Sequence, residues 1–250
     1  MDIDSLLAEF PRNRPLLPPA HKNIYVEEYK SNRTGKNPVQ RLSQYVESWM
    51  HRQVAKRGNG GEVLEIGAGT LNHVPYETPV EYDVVEPFTK LYSDSKYEQN
   101  IRSFYSDIVE VPRQHRYDRI VSVAVLEHLE ELPLVLALAG LLLRGGGSFQ
   151  CGIPSEGGFL WGLGWRCTTG LSYRIRTGLS YRTCMQHEHI NSAPEIIRLV
   201  RHFYTNVEIS RFPFPAHHLS LYVYLHASQP NMAACQNYLQ GRNLEFPQVS

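Results

Sequence analysis

Apolar residues along this chain gather in short runs cut by glycine, proline and polar clusters. Val63-Leu64-Glu65-Ile66, Tyr82-Asp83-Val84-Val85 and Ile120-Val121-Ser122-Val123 are too short for helices and rich in β-branched residues. They predict strands over 62–66, 81–86 and 118–123, with a shorter one near 101–105 and another over 148–153. The unbroken apolar run from Leu132 to Leu143 predicts a buried helix over roughly 130–143. Asn206 to Ile209 and Leu219 to Leu225 read as two late strands joined by the proline-rich RFPFPAHH. Apolar strands alternating with crossover segments argue for a parallel sheet covered on both faces. Ahead of them, Pro11, Pro15, Pro18 and Pro19 oppose regular helix. From Pro38 onward, Leu42, Tyr45, Val46, Trp49 and Met50 recur at helical spacing, after Tyr25 and Tyr29. Residues 1–58 therefore read as an accessory helical segment.

The junction of the first two strands carries the most chemistry. The first strand runs into Gly67-Ala68-Gly69-Thr70, and the second ends in Glu86. Glycines let a backbone approach a ligand closely, and a carboxylate at a strand end can accept from both hydroxyls of a ribose. A dinucleotide site wants a third glycine and a helix N-terminus facing pyrophosphate. Here that position is Asn72, Pro75 follows, and Glu65 places an acid where phosphates would have to sit.

Further segments continue the order: Glu86-Pro87-Phe88, Ser106-Asp107-Ile108, Tyr117 to Ser122, Leu126-Glu127-His128, and Leu143-Arg144-Gly145-Gly146-Gly147. Together with E-x-G-x-G, they resemble the class I S-adenosylmethionine-dependent methyltransferases, closely over residues 60 to 155 and loosely over 187 to 228. The resemblance implies a Rossmann-like, mostly parallel seven-stranded sheet with helices on both faces and an antiparallel last strand. It implies S-adenosylmethionine as cofactor, held by Glu65, Gly67, Ala68 and Gly69 at the loop and by Glu86 and Pro87 at the ribose. Asp107 would accept from the adenine amino group beside the Ile108 backbone N–H, and Ser122 would meet the methionine end. Val123-Ala124 departs from the family, which often has a polar residue there. Each role has a plainer counterpart: Glu86 as a solvent-facing acid, Asp107 as a turn or helix cap, Glu127-His128 as a helix cap.

Composition narrows the class. Lys+Arg and Asp+Glu both number 25, which argues against bulk electrostatic capture of nucleic acid. Cys151, Cys167, Cys184 and Cys235 lie far apart, so neither a zinc site nor a disulfide framework is expected, and a reducing compartment is. The N-terminus begins acidic and is broken by prolines, unlike a secretory signal. The longest apolar run, 12 residues, is too short to span a bilayer. A soluble, cytoplasmic protein with no metal is the expectation.

Substrate choice is expected in residues 154–190, far longer than the usual connection of ~2–6 residues. Phe159, Trp161, Trp165, Tyr173 and Tyr181 argue that it is ordered. TGLSYR occurs twice, at Thr169–Arg174 and Thr177–Arg182, and predicts two similar helical turns each showing an aromatic and an arginine. The segment reads as a lid for a substrate with rings and negative charge, or as a solvated basic helix. His187-Glu188-His189 closes it. With no second cluster to complete the ligand set, H-x-H does not suggest zinc. His189 is the candidate base, His187 and His128 its rivals. The domain would then span 59–228, with a polar tail over 229–250. The activity implied is methyl transfer to a hydroxyl of a small molecule or glycan, in a branch frequent in carbohydrate and lipid pathways. Transfer to an amine, an NAD-dependent enzyme and a non-catalytic module keeping the fold remain the alternatives.

Overall fold

The computed structural model describes residues 2–22, 24, 48–58 and 60–244 of the chain. Seven strands form one sheet: β1 (Glu62–Ile66), β2 (Glu81–Val85), β3 (Ser103–Tyr105), β4 (Tyr117–Val123), β5 (Leu143–Pro154), β6 (Tyr204–Pro213) and β7 (Ser220–Pro230). Their order is β3-β2-β1-β4-β5-β7-β6. The first five strands pair in parallel, while β7 runs antiparallel to both β5 and β6. The expected Rossmann-like sheet with its antiparallel last strand is therefore what the chain folds into.

Seven labelled helices surround it: α1 (Ile3–Leu7), α2 (Leu132–Leu142), α3 (Phe159–Trp165), α4 (Leu171–Thr177), α5 (Tyr181–Glu188), α6 (Ala193–Phe203) and α7 (Met232–Gly241); residues 48–55 are helical as well. Side chains alternate across a strand, so Leu64 and Ile120 join Leu136, Leu141, Ile196 and Phe203 in one core. Val63, Val84 and Val121 face the other way, under Met50 and Val54 of the 48–55 helix. Burial on both faces is why these strands read as continuous apolar runs. α6 starts cleanly because Ser192 and Glu195 form a capping box with a proline in the first turn.

Several boundaries differ from those the sequence predicts. β6 and β7 extend well beyond 206–209 and 219–225, because an antiparallel ladder pairs backbone groups whatever the side chains are. The tail after residue 229 is not featureless. Asn231 caps α7 at Ala234 N, and Cys235 and Leu239 are buried on the α2 side of the sheet. The four cysteines are free thiols. Among the described residues, no helix is long and apolar enough to cross a membrane. Tyr25, Tyr29, Leu42, Tyr45 and Val46 lie outside the described residues; of that predicted stripe, Met50 is buried and Trp49 stacks on Phe212 at 5.3 Å.

The TGLSYR repeat does not form two similar turns. Gly170 is right-handed inside a run of helix, whereas Gly178 has φ +72° and ends α4. The second copy then restarts as α5 after Ser180. Glycine tolerates both conformations, so neighbouring sequence and packing, not the hexapeptide, decide which is used. The two tyrosines still meet, Tyr173 and Tyr181 lying 5.3 Å apart.

Candidate cofactor and acceptor site

The predicted cofactor residues and His128 sit at or near the carboxyl ends of the parallel strands, around the place where strand order reverses between β1 and β4, where open α/β sheets bind ligands. His187 and His189 come from α5 and its end. Gly67 and Gly69 both adopt left-handed backbone, with φ +74° and +52°. A Cβ on Gly67 would fall 2.4 Å from a methyl of Val125, while one on Gly69 would meet nothing within 4 Å. Gly67 thus fits β1's loop against the loop after β4, and Gly69 leaves the path toward a ligand open. The chain then makes a single 3-10 turn, Val74–Tyr76, where a dinucleotide fold would start a helix. With no helix N-terminus at that point, a pyrophosphate would lack its dipole partner.

Glu86 is buried at the end of β2, and its two oxygens accept from Gly69 N (2.7 Å) and Phe88 N (3.0 Å). It is not a solvent-facing acid. The carboxylate ties the glycine loop to the loop after β2 and keeps further lone pairs for a donor. Asp107 is exposed and caps a short turn, accepting from Val109 N at 3.0 Å, while the Ile108 side chain belongs to the core. Ser122 is fully buried and donates to Ile66 O at 3.1 Å. Glu65 is buried under the 48–55 helix and accepts from the Tyr82 hydroxyl at 2.9 Å. Burial pushes its carboxyl above the usual range, against the opposing pull of nearby His73 and the Tyr82 bond.

Behind Glu65 lies a polar network that no motif announced. Arg119, 2% exposed, donates to both oxygens of Glu77 (2.7 and 2.9 Å) and to Val54 O. His73 meets Glu77 Oε1 at 2.9 Å, and His51 lies 3.1 Å from His73. Burial alone would raise the Glu77 carboxyl, but its bonds to His73 and Arg119 hold it down to about 2. Burial, with His73 and Arg52 nearby, holds His51 neutral, down to about 3.

Just past β4, Ala124 has a φ of +55°, a strained value for a residue with a Cβ. The Leu126–His128 turn that follows is laced to Ile190 and Asn191, just beyond α5. Asn191, fully buried, donates to Leu126 O and Leu129 O, and the backbone N–H groups of Ile190 and Asn191 both donate to Glu127 O. Arg12 of the N-terminal segment seals the back, reaching Ile190 O, Asn191 and Glu195.

This lacing brings His128 and His189 together, edge to face at 4.9 Å. His189 Nδ1 lies 3.0 Å from Glu156 Oε2, and Glu156 also accepts from the Trp161 indole. His128 Nδ1 meets Glu188 O at 2.8 Å. One ligand atom each from Glu127, His128 and His189 lie within 4.8 Å of one another. Glu127 and His128 reach this group from the turn after β4, and of the H-x-H pair only His189 takes part. The same grouping suits a cation or a substrate ammonium. His187 is not part of it and bonds instead to Pro15 O at 2.7 Å. Burial lowers the His189 imidazole, but the Glu156 bond and the nearby carboxylates of Glu127 and Glu188 more than offset this and leave it raised. His128 is held down to about 4 by burial and by the neighbouring His189 and Arg14. One histidine of the pair is thus kept neutral and the other tuned toward titration.

Two clefts meet here. One, of 690 Å³, opens between the N-terminal segment and His189; the other, of 380 Å³, lies under α3 and includes Glu156, Trp161, Arg166 and His189. Gly67 and Glu86 line neither.

No family model matches the sequence, and no curated protein does. Solved structures do share its architecture. A SAM-dependent methyltransferase from Thermotoga maritima aligns with a TM-score of 0.56 and 17% identity, covering 82% of this chain and 95% of its own. The N-methyltransferase NodS from Bradyrhizobium japonicum, solved with S-adenosyl-L-homocysteine, aligns with a TM-score of 0.52 and 17% identity over 79% and 91%. An O-methyltransferase family protein from Burkholderia thailandensis gives 0.52 and 12% over 91% and 67%. The chain has the methyltransferase fold. At these identities the likeness speaks for the fold alone. Within that fold, Glu156 and Arg12 are polar residues around His189 and Ile190 that the sequence reading missed. Their partners are distant in sequence.

Proposed function

We propose that this protein is an S-adenosylmethionine-dependent methyltransferase acting on a hydroxyl of a small molecule or glycan. The observation that carries the proposal is Glu86, buried at the end of β2 and bonded to the open Gly69 backbone, at the strand-order reversal of a methyltransferase fold. Gly67, Ala68 and Gly69 would line the cofactor, Glu86 and Pro87 the ribose, and Asp107 and Ile108 the adenine. Once bound, S-adenosylmethionine supplies a methyl group activated by its sulfonium. The chain's own residues orient the acceptor in line with that methyl, which is where most of the rate should arise. His189, aligned by Glu156 through Nδ1, takes the acceptor's proton on its other ring nitrogen.

A second reading, an amine acceptor, is favoured by the three carboxylates Glu127, Glu156 and Glu188 gathered around His128 and His189. They would hold an ammonium well, and His189 would matter less once the amine is deprotonated. Titration calorimetry with S-adenosylmethionine, S-adenosylhomocysteine and NAD tests the common core. Micromolar binding of the first two without NAD supports it, and NAD binding or no binding at all overturns it. Turnover of hydroxyl against amine acceptors then separates the two readings.

A further inference from the structure

The lid carries a surface that methyl transfer leaves unused. α3, a π-helical segment at Arg166–Gly170 and α4 run on without a break from Phe159 to Thr177. Phe159, Leu163, Cys167, Leu171 and Ile175 follow at steps of four, and every one is exposed. Phe159 is 67% and Ile175 75% exposed. In a pure α-helix each four-residue step drifts by about 40° around the axis. The wider turns at the π segment take up part of that drift and hold the row to one side. The other side, with Gly162 and Tyr173, is buried.

Charge is segregated on the same segment. Arg166, Arg174, Arg176 and Arg182 are exposed, and no Asp or Glu occurs from residue 157 to 187, in a chain whose formal charges cancel. We propose that this face docks on an anionic lipid bilayer, its apolar ridge entering the interface and its arginines meeting headgroup phosphates. Nucleic acid would engage the arginines but leave the ridge in water. A second copy of the chain, meeting this one by two-fold symmetry, would set arginines against arginines. Docking would bring the cleft that ends at His189 to the lipid surface, because α3 lines that cleft.

Flotation of the full chain with vesicles tests the proposal. Binding is expected to vesicles of phosphatidylcholine mixed with phosphatidylglycerol, to weaken as salt is raised, and to be far lower on phosphatidylcholine alone. Leu171→Glu/Ile175→Glu should abolish it. Arg174→Glu/Arg176→Glu should weaken it by at least about 25-fold, since each basic residue near such a surface contributes about fivefold. All four positions are exposed, so melting temperature and S-adenosylmethionine affinity should stay at wild-type values. No binding to the mixed vesicles, or equal binding by the variants, would overturn the proposal. So would a solution dimer that Leu171→Glu/Ile175→Glu dissolves. Cofactor affinity is read separately, so failure here leaves the methyltransferase reading untouched.

Discussion

Replacing Gly67 by alanine asks whether the glycine loop is shaped by the protein or by its ligand. Two penalties add. A left-handed φ of +74° costs a residue with a Cβ about 1–2 kcal/mol. The new Cβ would lie 2.4 and 2.5 Å from the two Val125 methyls, and such overpacking costs about 1–3 kcal/mol. Gly67→Ala should therefore lose roughly 2–5 kcal/mol by urea denaturation, or roughly 5–15 °C in Tm for a chain of this size. Adding Val125→Ala removes the obstructing methyls but not the φ strain, so the double variant should recover the second penalty and keep the first. Gly69→Ala is the contrast. Nothing lies within 4 Å of its Cβ, so only backbone strain should appear in stability, while calorimetry should show S-adenosylmethionine binding lost. Full stability of Gly67→Ala, strict additivity with Val125→Ala in the double-mutant cycle, or a Gly69→Ala less stable than Gly67→Ala would refute the reasoning.

Glu86→Ala removes the acceptor of Gly69 N and Phe88 N along with the proposed ribose contacts; at ~1.5–3 kcal/mol per charged bond, partly replaced by water, affinity should fall by ~2–4 kcal/mol in calorimetry. His189→Ala should cut turnover by ~10²–10⁴ with binding little changed. Because the His189 pKa is raised, the neutral base form predominates only above the ordinary imidazole range, so the wild-type rate should climb through an inflection above that range. Glu156→Gln should move that inflection down; an unmoved inflection, or a rate abolished by a chelator, would reassign the cluster. Glu77→Ala leaves Arg119 buried without its partner and should cost ~3–5 kcal/mol, read by denaturation at neutral pH. Since Glu77 is held down to about 2 from 4.5, its contribution is complete above pH 4.5 and is lost as pH falls toward 2, so Glu77→Gln should flatten stability in that window.

What the sequence determined by itself is local and periodic. The apolar runs around Leu64, Val84 and Val121 specified parallel strands, because burial on both faces leaves no room for alternation. Gly67 and Gly69 marked a turn that only positive φ allows, and the missing third glycine argued against a dinucleotide site. Charge segregation on the lid could likewise be read residue by residue, from Arg166 to Arg182. The tertiary structure decided what depends on distant partners. Ser122 is spent on Ile66, Glu65 lies buried against Tyr82, and two copies of TGLSYR take two conformations because their surroundings differ. Above all, His189 acquires Glu156, Glu127 and His128 only when the Leu126–His128 turn is bound by Asn191 to the end of the lid. Strand and turn propensities act over a few neighbouring residues, whereas an acceptor site is a meeting of chain ends from β4, β5 and α5, and folding alone brings them together.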